Sequence, residues 1–288
     1  MRPERIVAVA ARRTAAAALA RVAALAVAAA PVTALAWAWS AWQRRRLATP
    51  AGARAALVAA GVVVPGPLRV RVLGGGRANA VVQVDADARR LVIKRALPLG
   101  TVLARAARRV GPQPFPAAVD RGARIDREHA ALTRLAAAGV RVPAVLGVDR
   151  RGHALVLEHL AGAPLPRTAP SPGFADHVAA YGAALAAAHR AGVRLTDGHP
   201  GNALVTADGA VALLDLEMAE LDRDPARAAF DLAYAARYFF AGERAALIAG
   251  FAAAGGALEP TALAAMAARV APYAWLFDRE RARQRAWP

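Results

Sequence analysis

The chain contains no cysteine, and of its 38 basic side chains only one, Lys94, is a lysine. Asparagine is nearly as scarce, with Asn79 and Asn202 the two in 288 residues. The missing cysteines exclude a disulfide scaffold and a thiolate-held metal, and are neutral about compartment. The missing lysines have a compositional cause: alanine, arginine, glycine, proline and valine dominate, as GC-rich coding would impose. Where such a bias has left a single lysine, its position is informative, because an ammonium point charge and a guanidinium fork are not interchangeable. Lys94, Asn79 and Asn202 therefore mark the places to look.

Acidic residues are also few, 21 against the 38 basic ones, for a net charge of +17. A nucleic-acid-binding surface would cluster that charge and interleave it with aromatic side chains. Here the arginines run along the whole chain, aromatic residues make up only 6% of it, and no finger motif is present. The charge therefore implies no nucleic-acid partner. The length suits one two-lobed domain or two small ones.

Charge is absent altogether from residues 22–42, VAALAVAAAPVTALAWAWSAW, a run of 21 residues. That is about the ~20 residues needed to cross a bilayer core as a helix. Trp37, Trp39 and Trp42 close the run and Arg44, Arg45 and Arg46 follow it, as an aromatic belt and basic stop do at a membrane interface. Nearly half of it is alanine and Pro31 lies within it, so a helix that spans, one that lies on the surface and one that packs on the domain all stay open. Arg12-Arg13 ahead of an alanine-rich run leaves an export signal as a further reading. The expectation is a hydrophobic membrane-associating helix over 1–48.

From about residue 67 the period changes. LRVRVLGGGRANAVVQVDADARRLVIKRA reads as strand, glycine turn, strand, polar turn and strand, with DADAR at the hairpin tip. Gly74, Gly75 and Gly76 join the first two strands, where backbone N–H groups can approach a polyphosphate without a Cβ in the way; Lys94 ends the third. On its own a glycine hairpin is an ordinary turn. REHAALTRLAAAGVRVP follows with apolar residues at helical spacing, Glu128 in its first turn and Gly139 at its end. HALVLEHLAGAPLP then reads as a buried strand that breaks at Gly162 and Pro164. The densest stretch is LAAAHRAGVRLTDGHPGNALVTADGAVALLDLEMAE: a helix ending at Gly192, Asp197, Asn202 five residues on, a strand, an Asp-Gly turn, a strand, and Asp215 thirteen residues beyond the asparagine.

These strings resemble the protein-kinase-like superfamily. The match is to its small prokaryotic members: lipopolysaccharide (Kdo-type) kinases, RIO-like kinases and aminoglycoside phosphotransferases, which share H-x-G-V, D-x4-N and D-x-E strings. The glycine turn followed by V-I-K is similar to the nucleotide-binding lobe, and D-x4-N followed by a hairpin and an aspartate to the catalytic and metal loops. The resemblance covers roughly residues 67–240. It implies an α+β, two-lobed fold, with an antiparallel-sheet N-lobe carrying one helix over 49–158 and a mainly helical C-lobe over 159–288, the hydrophobic helix of 1–48 preceding both.

The resemblance also implies roles. Gly74, Gly75, Gly76 and Lys94 would contact the phosphates of ATP, Glu128 would pair with Lys94, and the backbone at Glu158 and Leu160 would meet adenine. Asp197 would accept the proton of the attacking hydroxyl, and Asn202 and Asp215 would hold Mg²⁺. Asp231, placed at a helix start, would brace the catalytic loop from below. Three departures stand out: Leu195 replaces the histidine two residues before the catalytic aspartate, Asp215-Leu216-Glu217 replaces D-F-G, and no A-P-E string follows. Only 73 residues remain after Asp215, too few for the activation segment and docking helices of a full Ser/Thr protein kinase. The implied activity is an ATP-dependent phosphotransferase with a hydroxyl acceptor; its need for cytosolic ATP, together with the hydrophobic helix of 1–48, sets the expected place at the cytoplasmic face of the membrane, with the cytoplasm as the alternative. The alternative is a membrane-anchored pseudokinase scaffold that binds nucleotide without catalysis.

Overall fold

The computed structural model describes residues 31–74, 78–87, 89–102, 120–169, 171–221, 225–257 and 260–270. A helix over 31–47 (α1) is followed by Pro50–Ala59 (α2), whose first turn is capped by the Thr49 hydroxyl accepting from the Gly52 N–H. Three antiparallel strands come next, Arg69–Gly74 (β1), Asn79–Ala86 (β2) and Arg89–Ala96 (β3), with Asp87 at positive φ in the tight β2–β3 turn. Helix α3 (Arg121–Ala137), β4 (Val145–Asp149) and β5 (Ala154–Glu158) complete the N-lobe, whose sheet runs β1-β2-β3-β5-β4.

Period-two alternation decides what each strand face meets. In β5, Leu155 and Leu157 join the core that includes Ile125, Leu132 and Leu135 of α3, while Ala154 and Val156 join the core that includes Ala53, Ala56 and Leu57 of α2. The sheet is thus covered on both faces, where the sequence suggested one helix. In β3 the same alternation sends Leu91 and Ile93 to the α2 side and leaves Val92, Lys94 and Ala96 on the α3 side. Lys94 lies two residues short of the strand end.

Two boundaries differ from the sequence reading. Helix α3 starts at Arg121, with the Asp120 carboxylate accepting from the N–H groups of Gly122 and Ala123, so Glu128 falls in its third turn rather than its first. Its buried stripe, Ile125, Glu128, Leu132 and Leu135, has helical spacing, and Glu128 is on it. The chain leaves the sheet after Glu158, not at Gly162: Gly162–Pro164 (β6) is itself a strand, paired with residues 204–206 of the C-lobe.

The C-lobe continues with α4 (Phe174–Arg190), β7 (Val193–Arg194), β8 (Ala203–Thr206), β9 (Val211–Leu213), β10 (Glu220–Leu221), α5 (Pro225–Ala236), α6 (Ala241–Ala253) and α7 (Pro260–Val270). Strands β6, β8 and β9 form one small sheet, and β7 with β10 another. Helices α4 and α6 pack backbone to backbone. A Cβ at Gly182 would sit 2.1 Å from the Leu247 carbonyl oxygen and one at Gly250 2.0 Å from that of Ala179, so glycine is required at both crossings.

The described part of the apolar run lies along the N-lobe. Ala36, Ser40, Gln43 and Leu47 repeat every three to four residues on the buried face of α1; the Ser40 hydroxyl accepts from the Leu99 N–H at 3.1 Å, and Leu47 joins the α2-side core. Residues 22–30 lie outside the described residues. Among the described residues no helix is long and apolar enough to cross a membrane.

Candidate active site

A cleft of about 620 Å³ opens between the lobes. Lys94, Glu128, Asn202 and Asp215 line it, together with Glu158 and Leu160 of the connecting segment. Its apolar lining includes Val81 and Val92 from the N-lobe sheet and Leu204 and Leu214 from the C-lobe. Of the glycine turn, Gly75 and Gly76 lie outside the described residues; Gly74 ends β1 at φ +147, a backbone conformation that suits glycine alone.

Lys94 is at the centre of the polar wall. Its Nζ donates to Glu128 Oε1 at 2.7 Å, with the other carboxylate oxygen at the same distance, and to Asp215 Oδ1 at 2.5 Å. Glu217 Oε2 is 3.7 Å away. Burial works against the ammonium, but Asp215, Glu128 and Glu217 outweigh it and hold Lys94 above its ordinary value. The Glu128 carboxyl is pushed up to about 7, first by burial, with Lys94 pulling it down and Asp215 and Glu217 adding to the rise. Asp126, two residues before, is exposed and pairs with Arg150.

Glu217 is fixed by two groups the sequence reading assigned no role. Arg124, buried on α3, donates to Glu217 Oε2 at 2.7 Å and to Asn79 Oδ1 at 2.7 Å, and Asn79 donates its own amide N–H to Glu217 at 2.9 Å. A three-way clasp thus joins the start of β2, just after the glycine turn, to α3 and to the loop carrying Asp215. The rarity of asparagine pointed to Asn79, whereas Arg124 was hidden among the other arginines.

The catalytic-loop segment is held from beneath. Asp231 is fully buried, and its carboxylate accepts from the Leu195 N–H at 2.7 Å and the Thr196 N–H at 2.8 Å; His189 Nε2 lies 3.0 Å from it. Asp231 lies in the middle of α5 and not at its start, since the helix begins at Pro225. Thr196, at φ +60, aims the next residue, Asp197, toward Tyr234 one turn further along α5, whose phenol donates to Asp197 Oδ1 at 3.1 Å. The Asp197 carboxyl is raised to about 6, first by burial and then by the charge of Asp215, while the Tyr234 bond lowers it. Asn202 donates its amide N–H to the Asp197 carbonyl at 3.3 Å, and its Oδ1, an acceptor, has no hydrogen-bond partner among the described residues. Asp215 adopts φ +55 and keeps its side chain 40% exposed to the cleft.

Carboxylates outnumber cations here. Glu128, Asp215 and Glu217 face Lys94 and Arg124, with Asp197 close enough to sense Asp215 and Glu217; the carboxyls of Glu128 and Asp197 are raised first by burial and then by these neighbouring charges. The oxygens of Glu128, Asp215 and Glu217 lie within 4.8 Å of one another. Glu128 and Glu217 are taken up by Lys94, Arg124 and Asn79; Asp215 gives one oxygen to Lys94, and it and Asn202 line the cleft. All of these are hard oxygen donors of the kind Mg²⁺ takes.

Residues 69–197 match the model of the Phosphotransferase enzyme family. That match runs from β1 to the catalytic loop and makes the chain similar to phosphotransferases of the kinase-like type over that stretch. The element order has the kinase-like arrangement of a sheet-based lobe on a helical one. No curated protein matches the chain. Among solved structures it is similar to Rv3197 from Mycobacterium tuberculosis, described in complex with erythromycin: 16% identity, 76% of this chain and 68% of that chain covered, TM-score 0.45. The kinase-like fold is seen in the element order, with the family match over 69–197 beside it.

Proposed function

We propose that this kinase-like protein transfers the γ-phosphoryl group of ATP to a hydroxyl on a lipid-linked saccharide, a small molecule or a protein, at the cytoplasmic face of the membrane. The observation that supports this best is Lys94, fixed at 2.7 Å from Glu128 and 2.5 Å from Asp215 in the wall of the inter-lobe cleft. An ammonium so positioned meets phosphate oxygens without having to be ordered first. Apolar side chains above and below suit a purine, with the backbone near Leu160 at its edge. The Glu158 N–H is already donated to the Ala144 carbonyl at 2.9 Å, so Leu160 is the better adenine contact.

Asn202 and Asp215 would hold Mg²⁺, which when bound neutralises phosphate charge and orients the phosphates. Asp197 is the proton acceptor for the attacking hydroxyl; Tyr234 occupies one of its oxygens and steers the other. Tight fixing of Asp197 by burial and the Asp231 brace keeps this base in one orientation. The membrane placement rests on cytosolic ATP and on α1, which exposes Trp37, Trp39 and Trp42 ahead of Arg44–Arg46.

Calorimetric titration with ATP, in Mg²⁺ and in EDTA, tests the site. Wild type should bind far more tightly with Mg²⁺, and Asp215→Ala should erase that difference. Asp197→Ala should keep Mg²⁺-dependent binding while ATP turnover falls about 10²-fold or more, the usual worth of a positioned base. Mg²⁺-indifferent binding in wild type, or the same phenotype in both variants, would favour a nucleotide-binding scaffold instead.

A further inference from the structure

On the sheet face opposite Lys94 there is a second cavity, of about 380 Å³. Arg95, next to Lys94 in β3 and therefore pointing the other way, lines it together with Trp39, Trp42, Arg46, Arg121 and Arg151. The two indoles stack with ring centroids 4.8 Å apart, and the Arg46 guanidinium lies over Trp42 at 5.3 Å. Arg95 is the inner wall: its side chain is 15% exposed, and its buried Nε has no hydrogen-bond partner among the described residues. The nearest carboxylate, Asp149, is 4.0 Å away and spends one oxygen on the Gly152 N–H; the neighbouring Asp120 is spent on capping α3. Four guanidinium groups thus face two engaged carboxylates, with a buried donor left over. Such a site takes an anion with several acceptor oxygens.

The approach to the cavity is apolar. Val32, Leu35, Trp39 and Trp42 are exposed and recur at helical spacing, so they form one stripe along α1 that leads down to Arg46 and the arginine wall. An apolar stripe ending in tryptophans and arginines matches the layers of a membrane surface, where acyl chains give way to phosphates. We propose that this stripe and cavity form a docking site for an anionic phospholipid surface, the stripe entering the acyl–headgroup boundary and one lipid phosphate seating against Arg95, Arg121 and Arg151. The proposal rests on the membrane-face reading above and adds the surface and the headgroup chemistry. It turns the N-lobe's back to the bilayer and leaves the nucleotide cleft on the other sheet face free.

The test is sedimentation of the full chain with phosphatidylcholine vesicles, with and without phosphatidylglycerol. Wild type should pellet with the anionic vesicles and much less with phosphatidylcholine alone. Arg95→Gln/Arg121→Gln should weaken that binding at least ~10-fold, and Leu35→Ser/Trp39→Ser should do the same through the stripe. Arg69→Gln/Arg89→Gln removes the same charge from exposed positions of β1 and β3 and should change it little; thermal melts confirm that each variant is folded. Equal losses in the two arginine pairs would reduce the effect to net charge and overturn the proposal. Wild-type binding that both cavity and stripe variants retain would overturn it while leaving the membrane reading intact. Absence of wild-type binding to any vesicle would overturn both, and saturable binding of inorganic phosphate without vesicle binding would make the cavity a soluble-anion site.

Discussion

Lys94 is the residue at which composition and geometry meet. A guanidinium in its place would have to fit a slot bounded by Glu128, Asp215 and Glu217, all within 3.7 Å of the ammonium. Its planar fork is larger and would displace Asp215 from the orientation a metal needs. Lys94→Arg should therefore fold normally by circular dichroism and lose at least ~10-fold in kcat/KM for ATP, about 1.4 kcal/mol at the transition state; unchanged turnover would remove Lys94 from the phosphate site. Asp197 gives a second residue-scale outcome. With its carboxyl raised to about 6, kcat/KM should fall as pH drops through about 6, since the protonated acid cannot accept the hydroxyl proton. Tyr234→Phe deletes the bond that lowers this carboxyl, so the acid limb should move to higher pH, whereas saturating Mg²⁺, by offsetting the charge of Asp215, should move it lower. The sign for stability is the reverse of the usual carboxylate: a raised folded value means that this group contributes most below the ordinary carboxylate range, and that contribution is lost as pH rises through about 6. A pH–rate profile that Tyr234→Phe leaves in place would show that another group sets the limb.

At the scale of elements, the part that was legible in the sequence is the part whose signal is local. The hairpins β1–β2–β3 and β8–β9 follow from alternation and turn residues, and D-x4-N sits in one loop. Helix starts were read less well. Apolar residues at helical spacing are dense only from Glu128 onward although Asp120 caps α3 at Arg121, and Asp231 resembles a helix-start carboxylate although Pro225 begins α5. The mid-helix position of Asp231 has a use: a fully buried carboxylate there reaches two backbone N–H groups and His189 at once. Arg124 and Tyr234 were missed for a different reason: their partners are distant in sequence, and no spacing rule connects them. The brace can be measured. Asp231→Ala orphans the N–H groups of Leu195 and Thr196 and should cost about 2–4 kcal/mol in urea unfolding, with a loss of turnover that exceeds the loss of ATP affinity. Asp231→Asn, which keeps one acceptor oxygen, should fall between the two on both measures. Equal turnover in Asp231→Ala and wild type would mean the loop holds Asp197 without its brace.

For the whole molecule, the question is whether α1 belongs to the folded unit. Sequence could not decide this, because an alanine-rich run is apolar on every side and which face is buried depends on what the N-lobe offers. Ser40 and Leu47 supply the answer in contacts: one accepts a backbone hydrogen bond from Leu99, the other shares a core with β2, β3 and β5. The N-lobe is in turn welded to the C-lobe, since α3 and one face of β5 share a continuous core with α4, β8, β9 and α5. Unfolding should then be one cooperative event, and the tryptophans report on it. Three of the five lie in α1, at 37, 39 and 42, and the others are Trp275 and Trp287. In a Trp275→Phe/Trp287→Phe background, fluorescence watches α1 alone while far-ultraviolet circular dichroism watches the whole. The two urea transitions should coincide, and saturating Mg²⁺ and ATP should move both together by about 2.7 kcal/mol at a hundredfold excess over Kd. Deleting residues 1–48 removes Ser40 and Leu47 and exposes the apolar face of α2, so the truncated chain should unfold at lower urea. A fluorescence transition that precedes the other, and that nucleotide does not shift, would make α1 an appendage of the kinase-like fold rather than part of its N-lobe.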